Sequence, residues 1–228
     1  MKKKRAVWGA VSVLAIAVAA GGLVAVQTAR VDAGRAQACA RVTADRSEMG
    51  EVVTASEGTP TVAIVGDSYA AGDLLADRSD AWSYRLGKSQ GWRTDLVAMG
   101  GTGFVNGGYC GDDQIAERVG PAMAGGASTL IIQAGINDAG KPAADIREAL
   151  REVLSDTQSV ERVVLIGPAG SIQRPGSDAV DEIMRAAAAA ADREYISTID
   201  WQLEFGPDQL HMTPAGHADY ATRVAEQL

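Results

Sequence analysis

The chain has 228 residues and a formal charge of −8, with 46% hydrophobic and 22% charged residues, a globular balance that excludes a disordered or low-complexity protein. Six basic residues and one acid fall in the first 35 positions, so the remaining 15 basic and 28 acidic residues carry a charge of −13. So acidic a domain repels phosphate backbones, which excludes nucleic acid as an expected partner.

Lys2-Lys3-Lys4-Arg5 precede an apolar run, Ala6–Val26, of 21 residues broken only by Ser12 and glycines. That is enough helix to cross a bilayer of about 30 Å, and the basic flank keeps the N-terminus cytoplasmic and sends the rest outside. Residues 1–30 therefore read as a signal peptide or a membrane anchor. Val31-Asp32-Ala33 and Ala36-Gln37-Ala38 offer the small residues of a signal-peptidase site, yet both lie past the apolar run, which favours the anchor. The domain is expected outside the cytoplasm, secreted or tethered, touching membrane only through this segment. Residues 31–58, rich in Ala, Gly, Thr and charge without periodicity, read as a linker. An oxidising exterior permits a disulfide between the two cysteines, Cys39 and Cys110; two free thiols are the alternative.

From residue 59 to 228 short apolar runs alternate with longer amphipathic ones, in a length suited to one monomeric domain. The predicted strands are Thr61–Val65, Asp95–Ala98, Thr129–Gln133, Arg162–Ile166 and Tyr195–Ile199. Between and after them helices are predicted at Trp82–Ser89, Gln114–Met123, Pro142–Ser155, Ala179–Arg193 and Pro214–Leu228, with Thr213 as the N-cap of the last. The alternation specifies an α/β class: a three-layer α/β/α sandwich around a mostly parallel five-stranded sheet, with chemistry at the carboxyl ends of the strands.

The strand ends carry the chemistry. The first is followed by Gly66-Asp67-Ser68; a serine hydroxyl becomes a nucleophile only beside a base that a third group orients. Of the two histidines, His211 lies three residues after Asp208, a spacing that lets the carboxylate reach one ring nitrogen in a tight turn. His217, inside the last helix, is expected to pack or cap. An acyl transfer also needs donors at the developing oxyanion, and Asn137 in Gly135-Ile136-Asn137-Asp138 stands at the same sheet edge; an Asx-turn ending the strand is the plain reading. The glycines of Met99-Gly100-Gly101-Thr102-Gly103-Phe104 permit close backbone approach. Asp67 and Asp138 are expected to hold loops, and Phe104, Tyr109, Trp201 and Phe205 to line a pocket or pack. No metal or cofactor is expected: the His and Cys residues have no ligand spacing, and Gly101-Thr102-Gly103 lacks the third glycine of a dinucleotide site.

In order and spacing, Gly66-Asp67-Ser68, the glycine block, Gly135-x-Asn137-Asp138 and Asp208-x-x-His211 resemble the four blocks of the SGNH, or GDSL-like, hydrolase superfamily of serine esterases and lipases. The resemblance spans about 59–228 and implies the superfamily's flavodoxin-like fold. It further implies Ser68 as nucleophile, His211 as base and Asp208 as orienting acid. The oxyanion hole it implies consists of the Ser68 N–H, a glycine N–H and the Asn137 side chain. Gly103 aligns with that glycine and Gly101 is next, although Ala98 stands where many members have asparagine. The implied activity is hydrolysis of carboxylic esters, small molecules or acylated carbohydrate, with short acyl groups favoured by the short inter-motif segments. Acyl transfer to sugar hydroxyls, a lipase acting on membrane esters and a non-catalytic binding module are the alternatives.

Overall fold

The computed structural model describes residues 27–41, 43, 44, 52–54 and 61–228. The expected signal or anchor run, Ala6–Val26, lies outside the described residues. The chain divides into two units, Met1–Arg41 and Val42–Leu228. In the first, residues 27–41 form a helix (α1) whose side chains are almost all exposed. The segment expected as a linker over 31–58 thus opens in a helix. Five alanines and three arginines in those 15 residues make a helix by propensity alone, with no apolar stripe for periodicity to detect.

The second unit is built on a six-stranded sheet. Strand β1 (Val52–Thr54) also falls in the presumed linker and pairs antiparallel with β3 (Arg93–Ala98), Val52 facing Asp95. Three β-branched residues are too short a run to show alternation. The other five strands are parallel, as predicted: β2 (Thr61–Gly66), β3, β4 (Thr129–Gln133), β5 (Arg162–Ile166) and β6 (Glu194–Ile196). The sheet order is β1-β3-β2-β4-β5-β6. Strand β6 stops short of the predicted Ile199 because Thr198 turns away, its Oγ1 donating to Gly167 O at 3.0 Å.

Alternate strand residues feed two cores. Ala63, Val65, Leu130, Ile132, Val163 and Leu165 pack under α4 (Ile115–Met123), α5 (Ala143–Asp156) and α6 (Ser177–Ala190), through side chains such as Val119, Leu150 and Met184. Val62, Ile64, Leu96, Ile131, Val164 and Ile166 pack against α3 (Trp82–Gln90) and α7 (Pro214–Ala225), through Trp82, Leu86, Tyr220 and Val224. Burial on both faces explains why the strands read as unbroken apolar runs. Strand β2 is followed by a short helix, α2 (Ser68–Ala71), and by α3 on one face, whereas the neighbouring β4 leads to α5 on the other. Their loops diverge, and the carboxyl edge between β2 and β4 is the switch point where open α/β sheets place ligands. Among the described residues no helix is long and apolar enough to cross a membrane.

Candidate active site

Ser68 sits at this switch point. Asp67 caps the turn that starts α2, its Oδ1 accepting from the Tyr69 N–H at 2.9 Å. A side chain at Gly66 would place its Cβ 2.3 Å from Ala70 Cβ, so glycine lets α2 fold back tightly on the strand end. Ser68 is 6% exposed, and its Oγ has no hydrogen-bond partner among the described residues. Burial pushes the Asp67 carboxyl up to about 7, against the Tyr69 N–H, Gln133 and Arg118, which favour the charged form.

The second component is the loop before α7, closed by an antiparallel bridge between Phe205 and Met212. Gly206 N–H donates to His211 O at 2.7 Å and Gln209 takes a left-handed φ of 54°, which curls Asp208 back onto the following residues. Asp208 Oδ1 accepts from the N–H groups of Leu210 (3.1 Å) and His211 (3.0 Å), and Oδ2 lies 2.6 Å from His211 Nδ1. Desolvation pushes the Asp208 carboxyl up, but the His211 ring and these two N–H groups outweigh it and hold the carboxyl below its usual range. An ionised carboxylate on Nδ1 selects the tautomer with Nε2 open to accept a proton.

Two contacts tie this loop to the rest of the site. Tyr69, next to Ser68, donates through its hydroxyl to Leu210 O at 2.7 Å and sets its ring edge-on to His211, centroids 6.3 Å apart. Ser171, in the β5–α6 loop, donates to Gln209 O at 2.7 Å. Ser68 Oγ and His211 are not hydrogen-bonded to each other; contacts of this kind commonly tighten only with substrate in place. Neither Tyr69 nor Ser171 belongs to a sequence block, and no spacing signals them.

Asn137 follows β4 in a 3-10 turn, Ile136–Asp138. Its Nδ2 donates to Thr102 O at 2.9 Å, which fixes the amide and leaves a second hydrogen for a ligand. Asn106 Nδ2 supports the turn from behind by donating to Asn137 O at 3.1 Å. As expected, Asp138 holds a loop: its buried carboxylate accepts from the N–H groups of Phe104 (2.7 Å), Val105 (3.0 Å) and Asn106 (3.0 Å). Burial raises its pKa in spite of these bonds.

That loop also engages Gly103: its N–H donates to Asn106 O at 2.8 Å, and a Cβ there would fall 2.3 Å from Asp138 Oδ2. Glycine is needed at 103 because the Asp138 carboxylate leaves no room for a side chain. Gly101, the next candidate, has a left-handed φ of 75° and lies beside the Tyr109 ring.

Of the aromatics, Phe104 is buried and Trp201 and Phe205 pack on the core. Tyr109 is exposed, as are Leu74 and Ile172, so three apolar side chains stand on the loops after β3, β2 and β5. The buried Arg118 was also missed. Its place in Ile115, Arg118, Val119, Ala122, the buried stripe of α4, is the pattern that marks a charge turned inward. Neither cysteine is a free thiol. Among the described residues no three His, Cys, Asp or Glu side chains are grouped to hold a metal ion.

His217 caps instead of reacting: its Nδ1 accepts the Trp82 N–H at the start of α3, at 3.3 Å. Burial, reinforced by Arg85 and His211, lowers its pKa from 6.5 to about 4. An unfolded chain protonates this ring below pH 6.5 and the folded one only near 4, so the ring's contribution is complete above 6.5 and is lost as pH falls. By pH 4 the loss reaches about 3 kcal/mol. Asp67 titrates in the opposite sense, so the measurement is differential. Urea unfolding of the wild type against His217→Asn should show the wild type losing ground between pH 6.5 and 4; a constant difference would refute the assignment.

The family model described as GDSL-like Lipase/Acylhydrolase matches residues 64–218. No curated protein matches the sequence. Among solved structures, a carbohydrate acetylesterase from Sinorhizobium meliloti is similar with a TM-score of 0.63 at 15% identity, over 74% of this chain and 97% of that one. A lipase/acylhydrolase from Enterococcus faecalis is similar with a TM-score of 0.62 at 18% identity, over 73% of this chain and 94% of that one. At such identities the likeness is one of fold.

Proposed function

The chain belongs to the GDSL-like lipase/acylhydrolase family and is a serine esterase in class, and from that premise we propose that it is an exported hydrolase of carboxylic esters with short acyl groups, carried on small molecules or carbohydrate. The observation that carries the proposal is the 2.6 Å contact of Asp208 with His211 Nδ1 on a loop bonded to Tyr69, the residue next to Ser68.

In this reading Ser68 Oγ attacks the ester carbonyl carbon and its proton passes to His211 Nε2, while Asp208 stabilises the imidazolium. The negative oxygen of the tetrahedral species is held by the Ser68 N–H and the second Asn137 amide hydrogen; the Gly103 N–H joins them if it leaves Asn106 O, and Gly101 is the other glycine placed to contribute. Collapse breaks the ester C–O bond, and His211 returns the proton to the departing alcohol. Water then repeats the sequence and releases the acid and free serine. The name of the Sinorhizobium neighbour, a carbohydrate acetylesterase, supports a small acyl group on a sugar. The exposed Leu74, Tyr109 and Ile172 favour one alternative, a lipase for apolar esters. Export rests on the basic and apolar N-terminus and on the absence of free thiols.

The test is hydrolysis of p-nitrophenyl acetate, butyrate and octanoate by residues 36–228. Rates falling from acetate to octanoate support the proposal; the reverse order supports the lipase; no turnover of any of them, with no labelling of Ser68 by a serine-directed phosphonate, overturns both. Added sugar alcohols that raise product release by forming new esters would instead point to acyl transfer. Protease cleavage of a C-terminal tag on intact cells tests export, and a tag protected until lysis refutes it.

A further inference from the structure

Arg118 is 1% exposed, and burying a guanidinium is costly unless its donors are used. Here they are spent on one place. Nη1 donates to Gly66 O at 2.6 Å and Val97 O at 3.1 Å, the last carbonyl of β2 and the last but one of β3. Nη2 donates to Thr102 Oγ1 at 2.7 Å, and Nε to Asp113 O at 3.2 Å. Thr102 Oγ1 in turn donates to Met99 O at 2.7 Å, so the hydroxyl is held on both sides. The carbonyl of the same threonine receives the Asn137 amide.

On the functional reading above, we propose that Arg118 is a positioning residue for the reaction: acting through Thr102, it sets the angle at which Asn137 presents its free amide hydrogen to the oxyanion. The line runs Arg118 to Thr102 Oγ1, Thr102 O to Asn137 Nδ2, Asn137 to the reacting oxygen. A second branch, through Gly66 O, steadies the strand end two residues before Ser68. The donors of a planar fork reach oxygens on two strands and a loop at once, which the single ammonium of lysine cannot do. A residue needed only to fill the space under the sheet would be apolar, as its neighbours Ile115, Val119 and Ala122 are.

Four variants separate this from plain structural support: Arg118→Lys, Arg118→Met, Thr102→Val and Thr102→Ser. All are compared on p-nitrophenyl acetate at a temperature where circular dichroism shows each fully folded. Thr102→Val removes the hydroxyl but keeps the strand-end bonds, so it carries the test should Arg118→Met not fold. The expected result is a kcat lower by roughly 10- to 100-fold in Thr102→Val and the Arg118 variants, with KM within about twofold, and wild-type kcat restored in Thr102→Ser; a misplacement of about 1 Å is enough for a loss of this size. Wild-type kcat in folded Thr102→Val, or a lower melting temperature with unchanged kcat in the Arg118 variants, overturns the proposal. A wild type that turns over ester and is phosphonylated at Ser68, beside unaffected variants, refutes this inference alone. A wild type that does neither refutes the functional reading and takes this one with it.

Discussion

Ser68→Ala is expected to lower kcat on p-nitrophenyl acetate by about a millionfold while leaving the melting temperature where it was. The size follows from serine-enzyme nucleophiles acting as part of one unit: removing the attacking group leaves only the contribution of binding and of the oxyanion donors. The unchanged stability follows from the structure. Ser68 Oγ has no hydrogen-bond partner among the described residues, so deleting it orphans no donor and opens almost no cavity, and the change in unfolding free energy should stay within about 0.5 kcal/mol. His211→Ala should cost nearly as much, and the double variant little more than either alone. Steady-state kinetics with parallel thermal unfolding checks all three. A Ser68→Ala enzyme keeping more than about one per cent of activity, too fast for the residual catalysis of a disabled triad, would remove this serine from the chemistry.

Asn137→Ala should give the next effect in size after the serine and histidine variants, a fall in kcat of roughly 10²- to 10³-fold with KM nearly unchanged, since a donor aimed at the developing oxyanion acts on the transition state and little on the bound ester. The main chain of the turn keeps its supports: Asn106 still reaches Asn137 O, and Asp138 still collects its three N–H groups. What is lost structurally is one hydrogen bond to Thr102 O, worth about 1 kcal/mol. A variant that loses KM and kcat alike, or unfolds, would place Asn137 among the structural residues.

Much of this was legible in the residues, for reasons that differ from element to element. Strands β2, β4 and β5 announced themselves because both faces are buried, so no polar residue interrupts them. Asp208 and His211 were legible because their contact is made within one turn, where spacing is geometry. The fate of the Gly103 N–H was hidden: the 103–106 turn takes its shape from Asp138 in the turn after β4, and local sequence carries no trace of that pull. The partners of Arg118 were hidden for the same reason, since Gly66 O is 52 positions away from it, although its place on the apolar stripe of α4 was there to be read. Helix α1 lacks an apolar stripe and β1 is three residues long, so each falls below what periodicity resolves.

The hydroxyl of Tyr69 and the carbonyl of Leu210 meet across 141 positions of chain. Turnover is therefore a report on the whole domain: a polypeptide that has completed its central strands but not yet seated the His211 loop holds a serine without its base and should be inert. Recovery of ester cleavage after dilution from denaturant would then time the last docking event and not the first collapse, giving an optical readout of when the final stretch of this domain comes home.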